Sequence, residues 1–238
     1  MNPGALLLLA LSSVAARAQA AMVTPAQQQP VFGTADAAIL GAAAAGSSLL
    51  VRYDARILAW KGLAPFRASA RTRATLDRIA FIGGPGSLAI EAALYGAGRA
   101  AKDKNLATDG EAALEAALVS GAVTYLLKGV VGRARPALDS TRADNFGLGR
   151  GFPGGDYQSF PSGHTALAFA FATAITARLA ERHSSSVNTV APALFTVATL
   201  TGIQRVYRHA HWASDCLMGA AIGTVGGLAA ARWHERHP

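Results

Sequence analysis

The sequence predicts an all-α fold, a compact bundle of about six helices with the reactive residues gathered at one end. Three observations predict it. Hydrophobic residues make up 51% of the chain and charged residues 15%, and the apolar residues are mostly Ala and Leu rather than the alternating β-branched residues of strands. The apolar runs last longer than a typical strand, and Gly-, Pro- and Arg-containing breaks separate them. No repeat at a fixed period marks a solenoid or propeller. A length of 238 residues suits one domain.

Taken in order, residues 5–16 are apolar and run into Ala18-Gln19-Ala20, a small-residue pattern of the kind cleaved from export signals. Residues 1–20 are read as a signal peptide or, because no Lys or Arg precedes residue 5, as an N-terminal anchor. Residues 21–36, with Pro25 and the Gln27-Gln28-Gln29-Pro30 run, form an extended lead-in without a periodic apolar face. A single helical domain then fills 37–238, its apolar helices at roughly 37–51, 79–97, 112–127, 165–179, 187–204 and 216–231. Most run for about 13–18 residues, short of the roughly 20 needed to cross a bilayer, and Glu91 and Glu115 interrupt two of them. The expectation is therefore of helices buried in protein, with both glutamates paired to arginines, in an exported domain of the bacterial envelope that is periplasmic or associated with the inner membrane. An integral six-span protein is the alternative.

The formal charge of +8 and pI near 10.2 give a surface that attracts anions: nucleic acid, anionic lipid headgroups or phosphorylated metabolites. Aromatic platforms interleaved with basic residues are missing, which sets nucleic acid aside. Cys216 is the single cysteine, so no internal disulfide forms, and its apolar surroundings predict a buried thiol.

Three short motifs stand at helix boundaries: Lys128 followed by Arg135-Pro136; Phe160-Pro161-Ser162-Gly163-His164; and Arg205, His211 and Asp215. At ordinary residue usage, their co-occurrence in one chain by chance is on the order of one in a million. Lys128, Arg135 and Arg205 supply three cations, two of them planar forks that match phosphate oxygens. Fixed cations aimed at the equatorial oxygens stabilise the charge that spreads over them during phosphoryl transfer. Ser162 and Gly163 open a helix, where backbone N–H groups and the helix dipole add anion binding. His211 and Asp215 are four apart, so on a helical turn the carboxylate can accept the imidazole Nδ1–H, leaving Nε2 to attack phosphorus and form a phosphohistidine. His164 is a second imidazole suited to protonate the leaving alkoxide and then activate water.

These motifs resemble those of the type 2 phosphatidic-acid phosphatase superfamily, which also contains bacterial acid phosphatases and vanadium haloperoxidases. The resemblance covers about residues 76–231. It implies an all-helical core in which Lys128, Arg135, Ser162, Gly163 and Arg205 bind phosphate, His164 is the general acid, His211 the nucleophile and Asp215 its orienting partner. One departure is Gln204, where the family usually has serine; the expectation is reduced activity. The function so implied is metal- and cofactor-independent hydrolysis of phosphate monoesters or diphosphates, with a lipid-linked substrate ahead of a soluble one and a membrane surface or bilayer as partner. A vanadium-dependent haloperoxidase and a non-catalytic phosphate- or headgroup-binding envelope protein stay open as alternatives. Arg133, Arg208 and His209 are weaker candidates for extending the positive patch. Asp139, Asp144 and Asp156 lack metal-ligand spacing, and the three cations already supply the charge a metal ion would bring.

Overall fold

The computed structural model describes residues 3–21, 30–60, 63–64 and 69–237. Eight α-helices are found among the described residues: α1 (Pro3–Ala21), α2 (Thr34–Leu58), α3 (Ala70–Gly83), α4 (Ser87–Ala101), α5 (Lys104–Val131), α6 (Gly163–Glu181), α7 (Val187–Tyr207) and α8 (Ala213–Arg236). Among the described residues there is no strand, only an isolated bridge between Arg133 and Phe146. The bundle is all-α as predicted, with two more helices than expected. One is the signal-like segment, whose Leu11 and Val14 are buried in the main core. The other arises because the 79–97 segment is split by Gly83-Gly84-Pro85-Gly86 into α3 and α4, which meet at 49°. Pro85 supplies no amide hydrogen there and the glycines relax the backbone. Of the predicted lead-in, residues 22–29 lie outside the described residues, while Asp36 already belongs to the first turn of α2.

Helix α8 is the axis of the bundle, packed against α2, α5 and α6. Its face toward α6 is glycine because the two backbones touch. A Cβ at Gly223 would lie 2.1 Å from the Ala166 carbonyl oxygen, and one at Gly219 would lie 2.4 Å from that of Ser162. Without side chains between them, the helices hold the turn before α6 directly against the start of α8. Phe169 on α6 and Phe195 on α7 meet edge to face at 6.0 Å and close the core on the other side.

The helices are longer than the apolar runs suggested, which corrects the expectation of short buried segments. Helices α2, α5 and α8 have 25, 28 and 24 residues and are apolar enough to cross a membrane, and the bent α3–α4 pair passes the same test together. Glu115, read as an interruption, does not stop α5, and Asp109 on the same helix is likewise paired. Asp109 receives a two-pronged bond from Arg182 at 2.6 Å, and Glu115 meets His234 at 3.0 Å. The predicted arginine partner of Glu115 is thus a histidine. Glu91 is fully buried on α4 and forms no ion pair among the described residues. Only 28% of the apolar window of α5 is buried, against 83% of that of α8, so α5 lies at the periphery and α8 at the centre.

Candidate active site

The end of the bundle where α5 and α7 finish and α6 and α8 begin collects Lys128, Arg135, Ser162, Gly163, His164, Arg205, His211 and Asp215. Lys128 occupies the last turn of α5. The helix stops at Gly132, in the left-handed region at φ 56°, and its N–H returns to the Lys128 carbonyl. A side chain there would also strike the Gly147 carbonyl oxygen, 2.0 Å from the built Cβ. The Lys128 ammonium donates to the carbonyl oxygen of Gln158 at 2.6 Å. Arg135 follows the turn and donates through Nη1 to the Ala210 carbonyl oxygen at 3.0 Å. Arg205 ends α7, and its Nε is buried without a hydrogen-bond partner. A buried, unpaired guanidinium N–H is a donor waiting for an anion.

Ser162 is the N-cap of α6, preceded by a cis Phe160–Pro161 peptide. It is fully buried, its N–H donates to the Asp215 carbonyl at 3.0 Å, and its hydroxyl pairs with that of Thr165 at 2.9 Å. With no side-chain cap from Ser162, the amides of Gly163, His164 and Thr165, in the first three helical positions, are the donors left at this terminus. A Cβ at Gly163 would stand 3.8 Å from Lys128 Cε, so the start of α6 lies beside this lysine. His164 sits against Gly84 in the α3–α4 break, where an added Cβ would come within 2.8 Å of its ring. Burial, then Arg205, Lys128 and Arg135, depress its pKa to about 4. The structure thus brings His164 within the field of all three predicted cations.

His211 is buried in the loop between α7 and α8. Its Nδ1–H donates to the backbone carbonyl of Ser159 at 2.7 Å, whereas Asp215 Oδ2 is 3.7 Å away. The direct bond from Nδ1 to Asp215 expected from the four-residue spacing is not formed, because the histidine precedes α8 and does not share its helical register. Asp215 acts one step removed. Its Oδ2 accepts the Ser159 hydroxyl at 2.6 Å and the Trp212 N–H at 2.8 Å, so one carboxylate caps α8 and fixes the residue that orients the imidazole. Nε2 is left as the unprotonated nitrogen. Burial pushes the His211 pKa down to about 3; Asp215 opposes this, and Lys128 and Arg135 reinforce it.

Arg133 is not part of the positive patch. It is fully buried, donates to Asp54 at 2.8 Å and to Asp215, Ser214 and the Ala143 carbonyl, and its guanidinium lies 5.4 Å from the Trp212 ring. The neighbouring carboxylates raise its pKa against the effect of burial. Arg208 leans toward Asp77 at 3.5 Å, and His209 occupies a left-handed turn at φ 58°. Gln204, the departure from the family pattern, donates to Asp77 at 2.6 Å and stands 3.4 Å from Arg205 Nη1, so it braces the arginine. Asp139 accepts from Thr141 in its own turn. Cys216 is buried, as expected of the lone thiol. Among the described residues no group of three or more His, Cys, Asp or Glu side chains could hold a metal ion.

Sequence reasoning missed Asp54, Ser159 and Gly84. Only Gly84 leaves a trace, in the Gly-Gly-Pro-Gly break; the other two act through partners 160 and 52 residues away.

In comparisons with known proteins, the chain is 45% identical over 86 residues to a Lipid A 1-phosphatase of Porphyromonas gingivalis, a match covering 36% of this chain and 18% of that protein. No solved structure matches it. The PAP2 superfamily matches over residues 112–238, a stretch that contains every predicted site residue from Lys128 to Asp215, and the chain belongs to that superfamily.

Proposed function

We propose that this chain is a metal-independent phosphatase that hydrolyses a phosphorylated lipid through a phosphohistidine on His211. The observation that carries the reading is the His211 imidazole held through Nδ1 by the Ser159 carbonyl, which leaves Nε2 unprotonated in the field of Lys128 and Arg135. The partial match to a Lipid A 1-phosphatase and the membrane-length helices support a lipid substrate.

In the first step Nε2 attacks phosphorus, the N–P bond forms, and the P–O bond to the lipid breaks. Lys128, Arg135 and Arg205 hold the equatorial oxygens, with the amides of Gly163 and His164 beside them. The leaving alkoxide takes a proton from protonated His164. A phosphate dianion in the cradle offsets the three cations that depress the His164 pKa, so substrate binding itself raises that pKa and readies the acid. In the second step neutral His164 takes a proton from water, whose oxygen attacks phosphorus; the N–P bond breaks and inorganic phosphate leaves. Asp215 stabilises the positive charge that builds on the imidazole from 3.7 Å.

Purified protein should release phosphate from p-nitrophenyl phosphate and from phosphatidate in excess EDTA, and His211→Ala should lower both rates by at least about a thousandfold. Enzyme quenched in alkaline SDS during turnover should carry phosphate that is stable to base and released by acid. Release that survives in His211→Ala would sink the mechanism.

The location that fits is a membrane of the bacterial envelope, with the site at one face of the bilayer. Burial of Leu11 against Gly202, whose Cβ would lie 3.1 Å from it, supports α1 as a retained anchor rather than a cleaved leader. The mass of the mature protein decides between them, and loss of residues 1–20 would overturn the anchor reading.

A further inference from the structure

We propose that the loop between α5 and α6 carries a lipid-reading rim, Leu148 and Phe152 with Arg150 between them, which guides a bilayer-resident phosphorylated lipid from the face of α5 to Lys128. The inference rests on the phosphatase reading above and adds where the lipid enters and what selects it.

Leu148 is 87% exposed and Phe152 58%, large apolar areas to leave facing water beside a polar site. The loop is fastened onto the last turn of α5. Gly149 N–H donates to the Val130 carbonyl at 2.8 Å and Gly151 N–H to that of Gly129 at 3.2 Å. The fit is close enough that a Cβ at Gly129 would lie 2.5 Å from the Phe152 ring, and one at Gly151 would lie 1.9 Å from the Lys128 carbonyl oxygen. Gln158 then ties the loop to the catalytic cation: its side-chain amide donates to the Gly151 carbonyl at 2.9 Å, and its own carbonyl accepts the Lys128 ammonium. Phe152 is thus a neighbour of Lys128 through two short connections, and its ring, laid against Gly129, stays more than half exposed.

The surface it joins is apolar. Tyr125 and Leu126 on α5 are 62% and 59% exposed, and most of the apolar window of this membrane-length helix is unburied. An aromatic side chain at the end of such a helix suits the boundary between acyl chains and headgroups. Arg150, its guanidinium 3.8 Å from the centre of the Tyr157 ring, adds a positive charge at the same rim. Apolar area leading to cations in this order matches an acyl chain followed by a phosphate. A soluble phosphate ester has no use for the apolar part.

The test compares the full chain with Phe152→Ser, Phe152→Leu and Leu148→Ser on two substrates: p-nitrophenyl phosphate, and phosphatidate in phosphatidylcholine vesicles. Both serine variants should lose about tenfold or more in kcat/KM on phosphatidate, chiefly through KM, while p-nitrophenyl phosphate hydrolysis stays within about twofold. Phe152→Leu should keep most of the lipid activity. Unchanged lipid rates, or parallel losses on both substrates, would overturn the rim, the second because Phe152 would then only support Lys128. Wild type that hydrolyses neither substrate would overturn the phosphatase reading and the rim with it. Wild type that cleaves p-nitrophenyl phosphate while the variants show no lipid-specific loss removes the rim alone.

Discussion

Arg133 shows how a single side chain can look functional and be architectural. Two residues from Arg135, for which phosphate binding is proposed, it instead neutralises Asp54 and Asp215 in a site closed to water. A buried charge network of this kind contributes little beyond an apolar core when intact, but losing one member strands the others. Arg133→Met should therefore destabilise the protein by about 3–5 kcal/mol, read from denaturant or thermal unfolding in detergent. A loss below about 1 kcal/mol would mean that Asp54 and Asp215 find other partners. His211, the proposed nucleophile, depends on a chain of the same kind. Asp215 holds the Ser159 hydroxyl and the Ser159 carbonyl holds His211, so the tautomer is set by a backbone oxygen. Ser159→Ala removes the hydroxyl but keeps the carbonyl. It should lower kcat several-fold without the collapse expected of His211→Ala, and a loss as large as that of His211→Ala would show the hydroxyl itself to be indispensable.

Among the elements, α8 couples stability to the site because its glycines press on α6. Gly219→Ala would put a methyl 2.4 Å from the Ser162 carbonyl oxygen, displacing the turn that presents the Gly163 and His164 amides. Overpacking of backbone against backbone costs about 1–3 kcal/mol, and here activity should fall further than that strain alone implies. A variant that loses stability but keeps full kcat would show that the turn can shift without harm. Gly84→Ala probes the α3–α4 break in the same way, since its methyl would overlap both the His164 ring and the Ala80 carbonyl. Its effect should appear mainly in kcat, because the role proposed for His164 is proton transfer rather than phosphate binding.

At the scale of the whole molecule, the two histidines link folding to pH. Both are held below the ordinary histidine pKa, His164 to about 4 and His211 to about 3, with burial the largest cause. An unfolded chain protonates them near pH 6.5, so protons favour the unfolded state. The stability associated with neutral histidines is present in full above about pH 6.5 and is lost as pH falls from there through 4 toward 3. Thermal midpoints in phosphate-free buffer should decline over that window, and the slope should flatten in a variant with both histidines changed to glutamine. An equal slope in that variant would assign the acid sensitivity to other groups. The long apolar faces of α2 and α5 make a second prediction at this scale: the protein should stay with membranes through alkaline carbonate extraction, and its release would rule out spanning helices.

Much of this protein is a local property of its chain. Helix class follows from Ala- and Leu-rich runs, and the site residues are legible because each motif lies at a helix boundary, where neighbours in sequence are neighbours in space. From that alone, Lys128, Arg135, His164, Arg205 and His211 could be named as one constellation. Helix lengths were less legible, since Glu115 looks like a break until His234 is seen to pair with it. What only the tertiary structure decided is which polar groups neutralise one another. Asp54 lies 79 residues from Arg133, Arg133 lies 82 from Asp215, and the carbonyl that orients His211 is 52 residues away. Pairings over such distances leave no periodicity or spacing to read. They exist because folding removes these charges and donors from water, and each must then find its partner in whatever element the bundle has brought beside it.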